Sequence, residues 1–232
     1  MGPDSFIWWD WVARHTGEIR AATFEHLRLT VIAVGVGFVI SLALSLVAVR
    51  WRMARTIVTS FANVVYTIPS LALFTVLVTI TGFTTLTAEI VLVGYTLLIL
   101  VRNIIEGLES IPPEVHQAAD GMGLRPLQRL VAVDLPLAIP PIVAGVRVAT
   151  VTTVGLVTVA GLIGLGGYGS YIDSGLSRGF STEVVVGAGL SIIMAMALDL
   201  VLVAVEWLIT PWRRRRPRPV PSWRTAVPAV AE

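Results

Sequence analysis

Residues 29–49 read LTVIAVGVGFVISLALSLVAV, a run with no charged side chain, closed by Arg28 before it and Arg50 after it. A helix of about 20 apolar residues crosses the hydrocarbon core of a bilayer, so Leu29–Val49 reads as a membrane span. The pattern repeats along the chain. Thr56–Ala88 is a longer run broken by the turn-like Thr81-Gly82-Phe83-Thr84. It predicts one span at Ile57–Ile80 and the next at Leu86–Ile105, with Glu89 and Arg102 toward the ends of the latter. Two more follow at Ile139–Ala160 and Val184–Leu208, the last interrupted by Asp199 and Glu206. The predicted fold class is an all-α membrane protein with five transmembrane helices.

Composition agrees. The chain has 232 residues, 55% hydrophobic and 14% charged, with a mean hydropathy of +0.82. A soluble domain is about 25% charged, so this much apolar surface needs a bilayer to hide in. Disorder, collagen and a disulfide-rich scaffold are excluded. There is no Cys, hence no thiol nucleophile and no thiolate-bound metal. All 17 basic residues are Arg. Without a Lys the chain cannot carry the phosphate-binding motif of a P-loop ATPase, nor do Schiff-base chemistry. The net charge of +2 gives no reason to expect nucleic acid.

The Arg residues are unevenly placed. Arg50, Arg52 and Arg55 lie between spans one and two, and Arg125 and Arg129 between three and four. Arg213, Arg214, Arg215, Arg216, Arg218 and Arg224 follow span five. With five spans these all fall on one side, and the positive-inside rule makes that side the cytoplasm. The N-terminus is then outside and the C-terminus inside. This divides the chain into an external interfacial segment (1–26), a transmembrane domain (27–209) with a cytoplasmic loop (106–135), and an Arg/Pro-rich cytoplasmic tail (210–232). Phe6–Glu25 is read as one helix lying along the outer interface. Its Trp8, Trp9 and Trp11 suit interfacial anchoring, or an aromatic cage for a quaternary ammonium.

The long cytoplasmic loop holds the most specific pattern. Pro112-Pro113 stops span three and opens a helix. Val115, Ala118, Ala119 and Met122 fall at i, i+3, i+4 and i+7, predicting one apolar stripe. Gly121 and Gly123 end that helix, and Pro126 starts a second with Leu127, Leu130 and Val131 on one face. Pro136 is expected to end the second helix before span four. The exposed turn Gly121–Pro126 has the form of an insert for a partner, or of a hairpin packed only on its own spans.

Gln117-Ala118-Ala119, three residues, Gly123, nine residues, Val133, one residue, Leu135-Pro136 resembles the EAA motif of ABC importer membrane subunits. Gln117 stands for the motif's Glu and lacks its charge; Val133 stands for Ile. Further stretches are similar to the osmoprotectant branch of that family: Tyr66–Leu73, Arg102-Asn103, Ala118–Gly123, Asp134–Ala138, Ala144–Arg147 and Leu162–Gly167. The resemblance covers about 27–208. It implies a type I importer permease for glycine betaine, choline, carnitine or proline betaine. The resemblance also leaves room for another small solute, such as an amino acid or a betaine-like thiol compound. The loop would be a coupling helix docking into a separate ATPase through Glu114, Gln117, Ala118, Ala119, Gly121, Met122, Gly123, Leu124 and Arg125. In this turn the family's Gly implies no room for a Cβ at Gly123. ATP and Mg would bind to that partner, with no cofactor on this chain. A second permease, identical or homologous, and an external substrate-binding protein complete the implied assembly.

Other features are weighed against plainer readings. Pro69 inside span two kinks or breaks it; with Tyr66, Thr67 and Ser70 it marks a candidate substrate pathway, or a packing kink. Arg147 and Asp199 lie at similar depth on spans four and five and form a candidate intramembrane pair. His15, His26 and His116 fall outside the spans and are expected at the surface. Gly164, Gly166 and Gly169 match a dinucleotide-binding spacing, but follow a span rather than a strand. An ion-coupled secondary transporter would need inverted repeats and midplane acids, and no repeat is visible.

Overall fold

In a computed structural model of the chain the described residues are 7–211. They form α1 (Trp9–Arg14), α2 (Thr16–Arg50), α3 (Arg52–Thr67), α4 (Ser70–Thr81), α5 (Thr85–Glu109), α6 (Pro113–Gly121), α7 (Pro126–Arg129), a π-helical turn (Leu130–Asp134), α8 (Leu135–Gly161), α9 (Gly169–Arg178) and α10 (Ser181–Ile209). Among the described residues four stretches are long and apolar enough to cross a bilayer: α2, α5, α10, and the continuous helix Pro126–Gly161. The reason for helix is the solvent. In lipid every backbone N–H and C=O must be satisfied within the segment.

α5 is the centre, packed against both α2 and α8, which also touch each other. Ala33, Gly37, Ser41 and Ser45 recur every fourth residue on α2 and are all buried. Residues this small let two backbones approach, which is how helices associate without a hydrophobic driving force. The gap is narrow enough for side chains to reach the facing backbone. Ser41 and Ser45 donate to the carbonyls of Leu97 and Val101, both at 3.4 Å, and Thr96 donates to Ala33 O at 3.3 Å. Against α8, Gly145 faces Asn103 of α5, where a Cβ would sit 2.5 Å from the Asn103 Cβ.

The span expected at Ile57–Ile80 consists of two helices, with the break at the Pro69 that the sequence marked. It breaks at Ile68–Pro69 into α3 and α4, because Pro69 has no N–H and its ring excludes the preceding turn. The two pieces together run the length of α5. Arg55 pairs with Glu109 at one end (2.5 Å), and Thr81 meets Thr87 at the other (2.8 Å).

Two expectations are corrected, and the cage alternative falls. Phe6–Glu25 is not one helix, since the chain turns at His15 and residues from Thr16 onward belong to α2. Trp8 and Trp11 do not form an open cage. Their rings pack edge-on against Phe180 (6.3 and 5.6 Å), Trp11 stacks on His15 (4.2 Å), and Arg14 lies over Trp8. Pro136 does not end a helix. It follows the π-helical turn, where the hydrogen-bond ladder is already shifted to Leu135 N–Leu130 O, so its missing donor breaks nothing further.

His26 is buried rather than at the surface. The loop between α8 and α9 folds back over α2, and Tyr168 N donates to His26 Nδ1 at 3.2 Å. Nδ1 therefore accepts, and the ring proton is on Nε2, which donates to Val154 O at 3.1 Å. The loop lies this close because Gly166 (φ +95) has no side chain; a Cβ there would sit 2.6 Å from the Glu25 carboxylate. In α9, burial first, then Glu18 and Glu183, hold the Tyr171 phenol above the usual tyrosine range.

Candidate functional site

Two regions are candidates for function. The first is at the end of the bundle formed by Arg50, Glu109 and the α6–α7 hairpin. α6 ends in a glycine cap: Gly123 N donates to Asp120 O (2.9 Å) and Leu124 N to Ala119 O (3.2 Å), with Gly123 at φ +76. Around Gly123 there is open space for a Cβ, so the lack of room expected there is corrected; the requirement is the backbone angle. The apolar stripe also divides differently. Ala119 is buried and Val115 and His116 half-buried, while Ala118 and Met122 (72% exposed) face out. The outward face is Glu114, Gln117, Ala118, Gly121 and Met122, at i, i+3, i+4, i+7 and i+8. Arg125 beside it is exposed and Leu124 half-buried.

Behind that face, charged groups tie the hairpin to the start of α8. Arg129 donates through Nη1 to both Asp120 oxygens (2.9 and 3.1 Å). Its Nε lies 3.6 Å from Asp134 Oδ2, and His116 Nε2 lies 3.2 Å from Asp134 Oδ1. Asp134, at the end of the π-helical turn, is thus shared by α6 and α7. His116 is half-buried in this cluster, not a surface residue. Sequence reasoning assigned Asp120, Arg129, Asp134 and His116 no joint role, because nothing in their spacing shows that the hairpin closes on itself.

The second region is the break between α3 and α4. Tyr66, Thr67 and Pro69 are exposed there and Ser70 half-buried. The Tyr95 hydroxyl donates to Ile68 O, a carbonyl freed by the break, and Tyr66 lies edge-on to Tyr95 (6.4 Å). From the break a polar stripe runs down α3 through Thr67, Asn63, Ser60, Thr59 and Thr56, all exposed except the half-buried Thr59. It borders a cavity of about 310 Å³ whose polar lining is Arg55, Thr59, Asn63, Arg102 and Glu106. The stripe was legible at helical spacing but went unread, since the run scores as a span.

Arg147 of α8 and Asp199 of α10 meet as a two-pronged pair, Nε to Oδ1 at 2.8 Å and Nη2 to Oδ2 at 3.0 Å. Glu206 is 3.8 Å from Nη1. The buried residues of α10 are Thr182, Glu183, Gly187 and Ser191, all in its first half; the Arg147 pair is a polar tie to its second half.

The family described as the binding-protein-dependent transport system inner membrane component matches residues 33–215. The chain belongs to that family. As such an inner membrane component it is a multi-pass protein of the bacterial cytoplasmic membrane, acting with a binding protein. It is 32% identical over 196 residues to the choline transport system permease protein OpuBB of Bacillus subtilis, covering 84% of this chain and 90% of the relative. It is 34% identical over 202 residues to the osmoprotectant import permease protein OsmW of Salmonella typhimurium, covering 85% and 94%. The fold is similar to an inward-facing MetNI methionine ABC transporter chain, with TM-score 0.72 and 22% identity over 83% of this chain and 96% of that one.

Proposed function

We propose that this inner membrane component is the permease subunit of an ATP-driven importer of small quaternary-amine osmoprotectants. The chain crosses the membrane five times, α3 and α4 together making one crossing, with the N-terminus outside and the C-terminus in the cytoplasm. The partners are two ATPase subunits, a second permease and an external binding protein. The observation that carries the reading is the outward face of α6. It lies at the Arg-rich end of the bundle, in a chain with no Lys and hence no P-loop of its own, whose relatives are named as choline and osmoprotectant permeases.

The mechanism follows from the connections. Closure of the ATPases on ATP pushes Glu114, Gln117, Ala118, Gly121 and Met122. Arg129 and Asp134 make the hairpin one body with the start of α8, so the push moves α8 against α5. The polar stripe of α3, across α5, then opens alternately to each side. Arg102 and Asn63 are exposed at membrane depth, where lipid is a poor neighbour for either, so this face lines water. The test is uptake of labelled glycine betaine and choline by the importer assembled with its ATPase and binding protein in proteoliposomes. ATP-dependent accumulation is expected; its absence for every quaternary amine sinks the substrate assignment.

A further inference from the structure

We infer that the cavity between α3 and α5 is a transit site for zwitterionic solutes, where Arg102 and Asn63 hold the carboxylate and Glu106 faces the cationic end. The inference rests on the permease reading and deepens it.

Arg102 lies seven residues before the end of α5, about 10 Å along the helix at about 1.5 Å per residue, and its side chain is 74% exposed. It donates from Nε to Glu106 Oε1 at 2.8 Å. No other hydrogen bond from its guanidinium is present among the described residues, which leaves the donors that grip a carboxylate as a fork. The Asn63 amide also has no partner among them. The other two polar groups are occupied: Arg55 by Glu109 at 2.5 Å, and the Thr59 hydroxyl by Arg55 O at 2.8 Å. Unspent donors and a carboxylate therefore sit side by side over an apolar wall of Leu98, Val101 and Ile105.

A quaternary ammonium has no N–H to donate. It is held by charge and by contact with apolar surface, which Glu106 and that wall supply. A solute with both groups matches the pair. A cation without a carboxylate makes no use of the Arg102 fork, whose charge Glu106 already balances. The volume, about 310 Å³, is at the lower end of the range for ligand pockets, as a small solute requires.

The test compares glycine betaine with choline in the assembled importer, with uptake expressed per intact complex. Arg102→Gln should lower betaine uptake about tenfold and leave choline within about twofold, since a lost charge-assisted fork is worth about one decade. Asn63→Leu should show the same selectivity more weakly. Arg102→Lys, which keeps charge but not the fork, should lie between. Equal losses for both solutes, or unchanged betaine uptake, overturn the site, as does a wild-type importer that carries choline alone. If the wild type carries an amino acid and no quaternary amine, the osmoprotectant reading fails separately. The site then stands if Arg102→Gln lowers that amino-acid uptake, and falls if it does not.

Discussion

Arg147 is paired with Asp199 through two hydrogen bonds and sits 3.8 Å from Glu206, so its loss and its partner's loss are not equivalent. Arg147→Leu takes the cation from two carboxylates; Asp199→Leu leaves Arg147 beside Glu206. Breaking a pair on one side harms more than removing both. The yield of folded full-length protein, read by size-exclusion chromatography in detergent, should fall most for Arg147→Leu and less for Asp199→Leu. The double variant should recover much of the loss. Simple addition of the two single losses means the residues do not interact. At the glycine cap, backbone angle and space separate cleanly. Gly121 is helical with nothing near its missing Cβ, while Gly123 is at φ +76 with equally open surroundings. Gly123→Ala should destabilise by about 1–2 kcal/mol from the left-handed backbone alone. Gly121→Ala should be neutral or stabilise by up to about 1 kcal/mol. Thermal unfolding of the purified variants measures both; equal effects contradict the cap.

At the scale of elements, α2 meets α5 along a stripe of small residues. A Cβ at Gly37 would run into the Thr96 hydroxyl, whereas Gly35, on the exposed side of the same helix, has nothing within reach. Gly37→Leu should therefore prise α2 from α5 and lower the amount of assembled protein severalfold. Gly35→Leu should leave it unchanged. Immunoblots of membrane fractions decide this, and equal yields sink the packing account. The spacing of four that marks this stripe was present in the run read as a span. What that run does not contain is the identity of the neighbour, since α5 lies far along the chain. The outward face of α6 has the same character. The positions of Glu114, Gln117, Ala118, Gly121 and Met122 follow from helix geometry. The face turned inward carries Ala119, which is buried, and His116, half-buried and 3.2 Å from Asp134.

For the whole molecule, the proposed orientation places α9 outside and the Arg-rich tail inside. The chain has no Cys, so single introduced thiols report sidedness directly. A Cys at Ser177, exposed on α9, should react with a membrane-impermeant maleimide from outside in intact cells. A Cys at Ser222, in the tail beyond the described residues, should react only after permeabilisation. The reverse pattern would invert the molecule and place α6 away from any cytoplasmic ATPase.

The amino-acid sequence determined by itself that this is a multi-pass helical membrane protein. Leu29–Val49 is long enough to cross and has no charge, and a backbone in lipid has no bonding option but helix or barrel. It also marked helix stops at Pro112-Pro113, Gly123 and Pro69, because each changes the backbone locally, whereas the stop read at Pro136 was overridden by the π-helical turn before it. The tertiary structure alone decided which groups meet. Depth along a span places Arg147 and Asp199 at one height, but only the rotation of α8 and α10 brings them to 2.8 Å. His26 became buried because a glycine loop more than a hundred residues away lies across it. The polar cavity exists because the helix broken at Pro69 lies along α5 with Asn63 toward Arg102. Such contacts depend on the angles between helices, which are set by packing that no single segment contains.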